Sequence, residues 1–142
     1  MGFVYDDGGR SAAGFRGKTG DCVTRAIAIA TKSDYKTVYD ALNTIAKSEK
    51  LTQRKPKKSN SRTGVWRDTA GKYLESLGWV WVPTMRIGSG CTVHLNPLEL
   101  PSGRIIVKLS HHMAAVVDGV LHDTYDCSRD GTRCVYGYYR AS

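Results

Sequence analysis

The chain has 142 residues, which is the size of one compact domain spanning 1–142. Its 41% hydrophobic and 24% charged residues are typical of a globular protein, and no apolar run is long enough to cross a bilayer. A membrane-embedded protein is therefore excluded, and no membrane partner is expected. The formal charge of +8 is unevenly distributed: between Lys47 and Arg62, seven basic residues stand against the single acid Glu49, so this stretch carries +6.

The N-terminal residues 1–20 are rich in glycine and contain early acids rather than an apolar run. They predict an irregular N-terminal arm and no secretory signal. We therefore expect a cytoplasmic location, where cysteines are reduced, so that catalysis or metal binding is considered before disulfides. This expectation applies to all four cysteines, Cys22, Cys91, Cys127 and Cys134.

A first helix is predicted over 22–30, with Asp21 as its N-cap. It is apolar on nearly every face, which is typical of a helix in the middle of a domain. A second helix begins after Ser33 or Asp34 and shows the three-and-four apolar spacing of one buried face up to Ala46. A third is expected over about 64–77, with Gly78 ending it.

Residues 47–63 separate the last two helices and predict a basic flexible loop. Such a charge run is typical of a solvated surface, but it also fits contact with nucleic acid or another acidic partner. No aromatic residue lies between 47 and 63, so base stacking is not predicted there. The candidate binding residues are Lys50, Arg54, Lys55, Lys57, Lys58 and Arg62.

The second half of the chain is rich in β-formers. The pair Asp118-Gly119 between two apolar runs is a strong signal for a two-residue hairpin turn. Since helices come first and strands follow, the pattern predicts an α+β fold with N-terminal helices packed on a C-terminal antiparallel β-sheet. The predicted strands are 79–82, 104–109, 112–117, 120–125 and 135–139, with a long loop over 84–103.

Cys22 lies in the first turn of the predicted central helix, where unpaired N–H groups and the helix dipole favour a thiolate. A nucleophilic thiolate needs a base, and the base needs an orienting group. Counting outward from the hairpin turn places His112 and Asp123 on one face as diagonal neighbours. The opposite face pairs His111 with Asp126, so alternation alone leaves two His/Asp pairs. A buried cysteine without chemistry is the alternative reading of Cys22.

This arrangement resembles the papain-like cysteine peptidases, and among them the compact C39-like branch. The matching stretches are Gly20-Asp21-Cys22-Val23, His112-Met-Ala-Ala-Val-Val-Asp-Gly119 and Asp123. In that family the histidine precedes a bulky residue and then small and aliphatic ones, which favours His112 over His111. The resemblance implies a papain-like fold and a cysteine hydrolase, a peptidase or amidase, with a peptide or protein substrate. Cys22 would be the nucleophile, His112 the base and Asp123 the orienting residue, acting through a thioester without a cofactor.

The chain departs from this family in lacking a glutamine shortly before the cysteine, which would help to hold the oxyanion. The backbone N–H of Cys22, with the side chain of Thr19 or Lys18, is expected to substitute. The missing glutamine also supports an alternative: a non-enzymatic papain-fold module that uses the basic loop to contact nucleic acid or a larger assembly.

The other cysteines permit competing sites. Cys91 and His94 together with Cys127 and Cys134 suggest a zinc site, but their spacing is not that of a common zinc finger, and no metal is predicted. In an oxidising compartment Cys127 and Cys134 would be able to bridge. Cys91 is an alternative nucleophile, but no helix pattern follows it. The three tryptophans, Trp66, Trp79 and Trp81, are expected in the core.

Overall fold

The computed structural model describes residues 1–142 and consists of three helices packed on one mixed six-stranded sheet, which confirms the predicted α+β class. No helix is long and apolar enough to cross a membrane. The helices are α1 (Cys22–Thr31), α2 (Tyr35–Ala46) and α3 (Arg67–Ser76). The strands are β1 (Gly2–Tyr5), β2 (Trp79–Pro83), β3 (Arg104–Leu109), β4 (His112–Val117), β5 (Val120–Asp123) and β6 (Gly137–Ala141).

The sheet has the strand order β1-β5-β4-β3-β6-β2, and one pair, β1 with β5, is parallel. The predicted sheet was antiparallel throughout, and residues 1–20 were predicted to be an irregular arm; both predictions are wrong at β1. The four residues of β1 are all exposed, so they lack the alternation that marks a half-buried strand. Their strand conformation depends on pairing with β5, more than 100 positions away, which no local pattern encodes.

The two faces of the sheet are covered differently. On β4, Met113 and Ala115 face the helices, whereas Ala114 and Val116 belong to a second core on the opposite face. This alternation is the period of two expected of a strand. Helix α1 packs mainly against β4 and contributes buried residues from Val23 to Ala30. The packing of α1 on β4 brings the beginning of the helix beside the beginning of the strand.

The element boundaries are close to those predicted. Helix α1 begins at Cys22 as expected, but Asp21 makes no capping hydrogen bond because its carboxylate has other partners. Helix α3 begins at Arg67 rather than 64, since Trp66 is extended. The Asp118-Gly119 hairpin is confirmed, with Val117 paired to Val120.

The basic segment 47–63 has no helix or strand, and its residues Glu49 and Ser61 are hydrogen-bonded to the neighbouring helices. The carboxylate of Glu49 accepts hydrogen bonds from Ser59 and Thr69. Ser61 is fully buried and donates its N–H to Asn43 Oδ1 at 2.9 Å. These contacts fasten the segment to the helices on either side of it.

Cys91 and Cys134 form a disulfide across 43 residues. The expectation of four reduced cysteines and the Cys127–Cys134 pairing are therefore both wrong in this structure. The zinc set of Cys91, His94, Cys127 and Cys134 is not assembled either, because two of its thiols are bonded to each other. Spacing along the chain did not reveal the pair, since the two segments meet only when 84–103 folds back beside 134.

Trp81 lies flat against the backbone of Gly137, the first residue of β6. A methyl group on Gly137 would overlap the Trp81 ring and approach the Val82 carbonyl oxygen to 2.9 Å. We therefore expect Gly137→Ala to lower the free energy of unfolding by about 1–3 kcal/mol through overpacking. Urea denaturation measures this, with Gly2→Ala as a control because its methyl would make an ordinary 3.5 Å contact with Val120. Equal stability of the two variants would contradict this packing.

The tryptophans differ in their surroundings. Trp79 is buried as predicted, and Trp81 is half-buried between Tyr139 and Arg67. Trp66 is not a core residue: it is half-buried in the wall of a cleft.

Candidate active site

A cleft of about 1040 Å³ opens where α1 and β4 begin. Cys22 is the first residue of α1, His112 the first of β4, and Asp123 the last of β5. The ends of three separate elements thus converge on one place. One wall of the cleft comes from the N-terminal segment and another from the residues before α3. The lining includes Tyr5, Arg10, Thr19, Cys22, Val65, Trp66, Arg67, Lys108 and His112.

His112 and Asp123 form a buried pair in which His112 Nε2 lies 2.7 Å from Asp123 Oδ2. A carboxylate can only accept, so Nε2 carries the hydrogen and donates it. Burial lowers the pKa of His112, but its hydrogen bonds to Asp123 and to the thiols of Cys127 and Cys22 outweigh burial and raise the pKa to about 11. His112 is therefore an imidazolium at neutral pH.

The alternative His/Asp pair is not formed. His111 is exposed, lies in the turn between β3 and β4, and has a φ of 54°. The strand begins one residue later, so His111 does not share a ladder with Asp126. The tight turn leaves His112 as the histidine of β4.

The thiol of Cys22 is half-buried beside His112. Burial raises its pKa, but the hydrogen bond and charge of His112, the N–H of Met113 and the charge of Arg25 lower it more, so the net pKa is below that of an ordinary thiol. The sequence predicted this direction from the helix N-terminus; in the structure the main cause is His112. A lowered thiol pKa beside a raised imidazole pKa favours a thiolate–imidazolium pair.

Asp123 also belongs to a buried ionic network with Arg25, Asp21 and Tyr35, which the sequence analysis did not predict. Arg25 donates a hydrogen bond from one guanidinium nitrogen to Asp123 Oδ1 at 3.0 Å and a second from its other terminal nitrogen to the Asp21 carboxylate. The second oxygen of Asp21 accepts from the Tyr35 hydroxyl at 2.5 Å. The sequence signal for half of this network was the spacing of Asp21 and Arg25, four residues apart on α1. Arg25 therefore links the helix of Cys22 to the strand of Asp123.

The two side chains expected to hold an oxyanion are not presented for that role. Thr19 lines the cleft, but its hydroxyl hydrogen is donated to the Arg62 carbonyl at 2.9 Å. Lys18 does not line the cleft, and its carbonyl accepts from Arg62. Because the first N–H groups of a helix have no intrahelical acceptor, the N–H of Cys22 remains a donor for an oxyanion.

Cys127 is a buried thiol on the far side of the pair, with its Sγ 3.6 Å from Asp123 Oδ2. His112, Asp123 and Cys127 are the residues with ligand atoms close enough together to hold a metal. Two nitrogen or oxygen ligands of a tetrahedral zinc ion lie about 3.3 Å apart, given bonds of roughly 2.0–2.1 Å. The 2.7 Å separation of His112 and Asp123 instead fits a direct hydrogen bond.

The six basic candidates of the loop have different surroundings. Arg62 donates to the carbonyls of Arg16 and Lys18 and thereby holds the N-terminal segment. Lys55 pairs with Asp68. The other three lysines and one arginine are exposed, and of these one, Lys58, donates to a backbone carbonyl. Lys50, Arg54 and Lys57 are the exposed members whose side chains make neither a salt bridge nor a hydrogen bond.

Comparison with protein-family models, curated proteins and solved structures finds no match to this chain in any of the three. The residues of the cleft and their contacts are therefore the basis for assigning its chemistry.

Proposed function

We propose that the chain is a cysteine hydrolase of papain-like fold, a peptidase or amidase, in which Cys22 is the nucleophile. The observation that carries the proposal is the lowered pKa of Cys22 beside His112, which is itself hydrogen-bonded to Asp123 in a large cleft. A perturbed nucleophile, a base and an orienting carboxylate in a concave site are the features expected of covalent catalysis.

The reaction follows from the protonation states at neutral pH. The Cys22 thiolate attacks the carbonyl carbon, and a C–S bond forms while the carbonyl oxygen takes the negative charge near the first N–H groups of α1. The His112 imidazolium then donates its proton to the leaving nitrogen, and the C–N bond breaks to give a thioester. Water attacks the thioester while His112 accepts a proton from that water, the C–S bond breaks, and the acid product and the Cys22 thiolate are released. Asp123 holds the imidazole through Nε2, so the other ring nitrogen serves Cys22.

Selective alkylation tests the state of Cys22. We expect iodoacetamide at pH 6 to modify Cys22 about 10–100 times faster than glutathione, because glutathione is almost entirely protonated there. Mass spectrometry of peptides locates the adduct, and buried Cys127 is the internal control within the same chain. A Cys22 rate equal to that of glutathione would overturn the proposal.

Acyl transfer distinguishes a hydrolase from a reactive but non-catalytic thiol. With p-nitrophenyl acetate, a hydrolase releases a burst of p-nitrophenol, becomes acetylated at Cys22 and then turns over. The Cys22→Ser variant is the matched control, since it retains the shape of the site. Alkylation without any acyl-enzyme would favour the non-enzymatic binding module. That alternative rests on Lys50, Arg54 and Lys57, which are exposed and free of salt bridges, and it stays a prediction.

A further inference from the structure

Lys108 places a positive charge inside the cleft beside Cys22. It belongs to β3, pairs with Met113 of β4, and therefore projects from the helix-facing side of the sheet. The side chain is half-buried, lines the cleft, and donates from Nζ to the Leu109 carbonyl at 2.6 Å. The Leu109 carbonyl accepts one of the three ammonium hydrogens, but as a neutral group it does not balance the positive charge of Lys108.

No carboxylate in the structure pairs with Lys108. Burial lowers its pKa; the charge of Cys22 opposes this, and the charges of Arg67 and Arg133 lower the pKa further. Cys22 is the one neighbour whose negative charge would raise the pKa of Lys108. Burying a charge without a partner is costly, so an unpaired ammonium in a cleft calls for an explanation.

Two other cations of the cleft, Arg10 and Arg25, have carboxylate partners within the protein. Arg25 is bound by Asp21 and Asp123, and Arg10 lies 3.8 Å from Asp21. Arg67 lies over the Trp81 ring at 4.2 Å, and it has no carboxylate partner either. Lys108 and Arg67 are therefore the cleft cations without a carboxylate partner.

Building on the proposed function, we propose that Lys108 binds a carboxylate of the substrate, so that the cleft selects acyl substrates with an acidic group beside the scissile carbonyl. A half-buried ammonium forms a charge-assisted hydrogen bond to a carboxylate and discriminates against the neutral amide of the same shape. Peptides offer two such groups, the chain-terminal carboxylate and the side chains of Asp and Glu. Lys108 is a specificity residue, and the attack by Cys22 does not require it.

A pair of reagents that differ only in charge tests this inference. Iodoacetate and iodoacetamide both alkylate a thiolate with loss of iodide, and only iodoacetate carries a carboxylate. We expect the ratio of their rate constants at Cys22 to exceed the ratio for glutathione about tenfold, and Lys108→Gln to abolish the excess. Lys108→Arg should retain most of it. Lys72→Gln, which removes an exposed lysine of α3 outside this cleft, should leave the ratio unchanged.

The ratio of the two rate constants distinguishes the charge selectivity of Lys108 from the reactivity of Cys22. A change in the thiolate fraction of Cys22 affects both reagents equally, so it cancels. Fast iodoacetamide alkylation with an iodoacetate ratio like that of glutathione would overturn the role of Lys108 and leave the proposed function standing. Slow alkylation by iodoacetamide would instead overturn the proposed function. If Lys108→Gln does not fold, the salt dependence of the wild-type protein tests the same inference. Added salt should lower the rate of alkylation by iodoacetate and leave the rate with iodoacetamide unchanged.

Two further probe pairs identify the source of the carboxylate. Chloroacetyl-glycine against chloroacetyl-glycinamide presents or removes a chain-terminal carboxylate, and chloroacetyl-glutamyl amide against chloroacetyl-glutaminyl amide does so for a side chain. A Lys108-dependent preference in the first pair assigns a chain terminus, and one in the second assigns an acidic side chain. Absence of a preference in both pairs would contradict substrate selection by Lys108.

Discussion

Replacing His112 with glutamine is expected to lower the alkylation rate of Cys22 by iodoacetamide about 100-fold at pH 6. The hydrogen bond and charge of His112 are the main causes that lower the pKa of Cys22, and without them burial alone would raise it. An ordinary thiol is less than about 1% thiolate at pH 6, so losing the imidazolium removes nearly all of the reactive form. Acyl transfer should fall at least as much, since the leaving nitrogen also loses its proton donor.

The pH profile of alkylation gives the sharper measurement. In the wild type the rate should rise with the lowered pKa of Cys22 and stay high, since His112 keeps its proton up to about pH 11. In His112→Gln the rate should rise only where ordinary thiols titrate. His111→Asn is the matched control, because His111 is exposed in a turn with positive φ, which asparagine tolerates. Equal effects of the two substitutions would contradict the assignment of His112.

Replacing Arg25 with methionine is expected to lower the free energy of unfolding by about 3–5 kcal/mol at pH 7. Arg25 is buried and bound to Asp21 and Asp123, so its removal leaves two buried carboxylates without their shared cation. Breaking a buried ion pair by removing one partner costs this much because the remaining charge is uncompensated. Urea denaturation followed by tryptophan fluorescence measures the loss.

The pH dependence of this loss identifies its electrostatic origin. Burial raises the pKa of Asp123, but this effect is smaller than the combined lowering by His112, the N–H of Thr124 and Arg25. The pKa of Asp123 in the folded protein is therefore below the ordinary value. A depressed carboxyl pKa contributes stability above about pH 4 that is lost as pH falls through the folded pKa. The deficit of Arg25→Met should therefore shrink between pH 5 and pH 3.

Arg104 offers a matched control for this experiment. It also binds buried acceptors, but these are the neutral carbonyls of Ile29 and Ala30 at the end of α1. The loss caused by Arg104→Met should therefore be independent of pH over the same range. A deficit of Arg25→Met that is equally independent of pH would show that Arg25 acts through packing and not through charge.

Arg25 also bears on catalysis if the proposed function holds. It reaches the same carboxylate that holds His112, so it is a positioning residue for the base rather than a group that touches substrate. The interaction links α1, which carries Cys22, to β5, which carries Asp123. Stability of the fold and geometry of the site therefore depend on the same buried guanidinium.

Local sequence patterns located most of the candidate site. The start of α1 at Cys22 followed from the onset of a continuous apolar helix, and the turn at Asp118-Gly119 set the register of β4 and β5. With the register known, strand alternation placed His112 and Asp123 on one face. These are short-range properties, because backbone period and turn chemistry act over a few residues. The choice of His112 over His111 came from the family resemblance, and the tight turn after β3 supplies its physical reason.

The tertiary structure decided everything that depends on segments far apart in the chain. The parallel β1, the Cys91–Cys134 disulfide and the bond from Arg25 to Asp123 each join residues that share no local pattern. The same is true of the charge. The sequence alone shows that +6 of the +8 lies between Lys47 and Arg62, yet Lys108, an unpaired cation in the cleft of Cys22, comes from an ordinary strand. A count of charges along the chain gives only composition. The electrostatic field at a site depends on which charged side chains the fold brings together and on which of these have an oppositely charged partner.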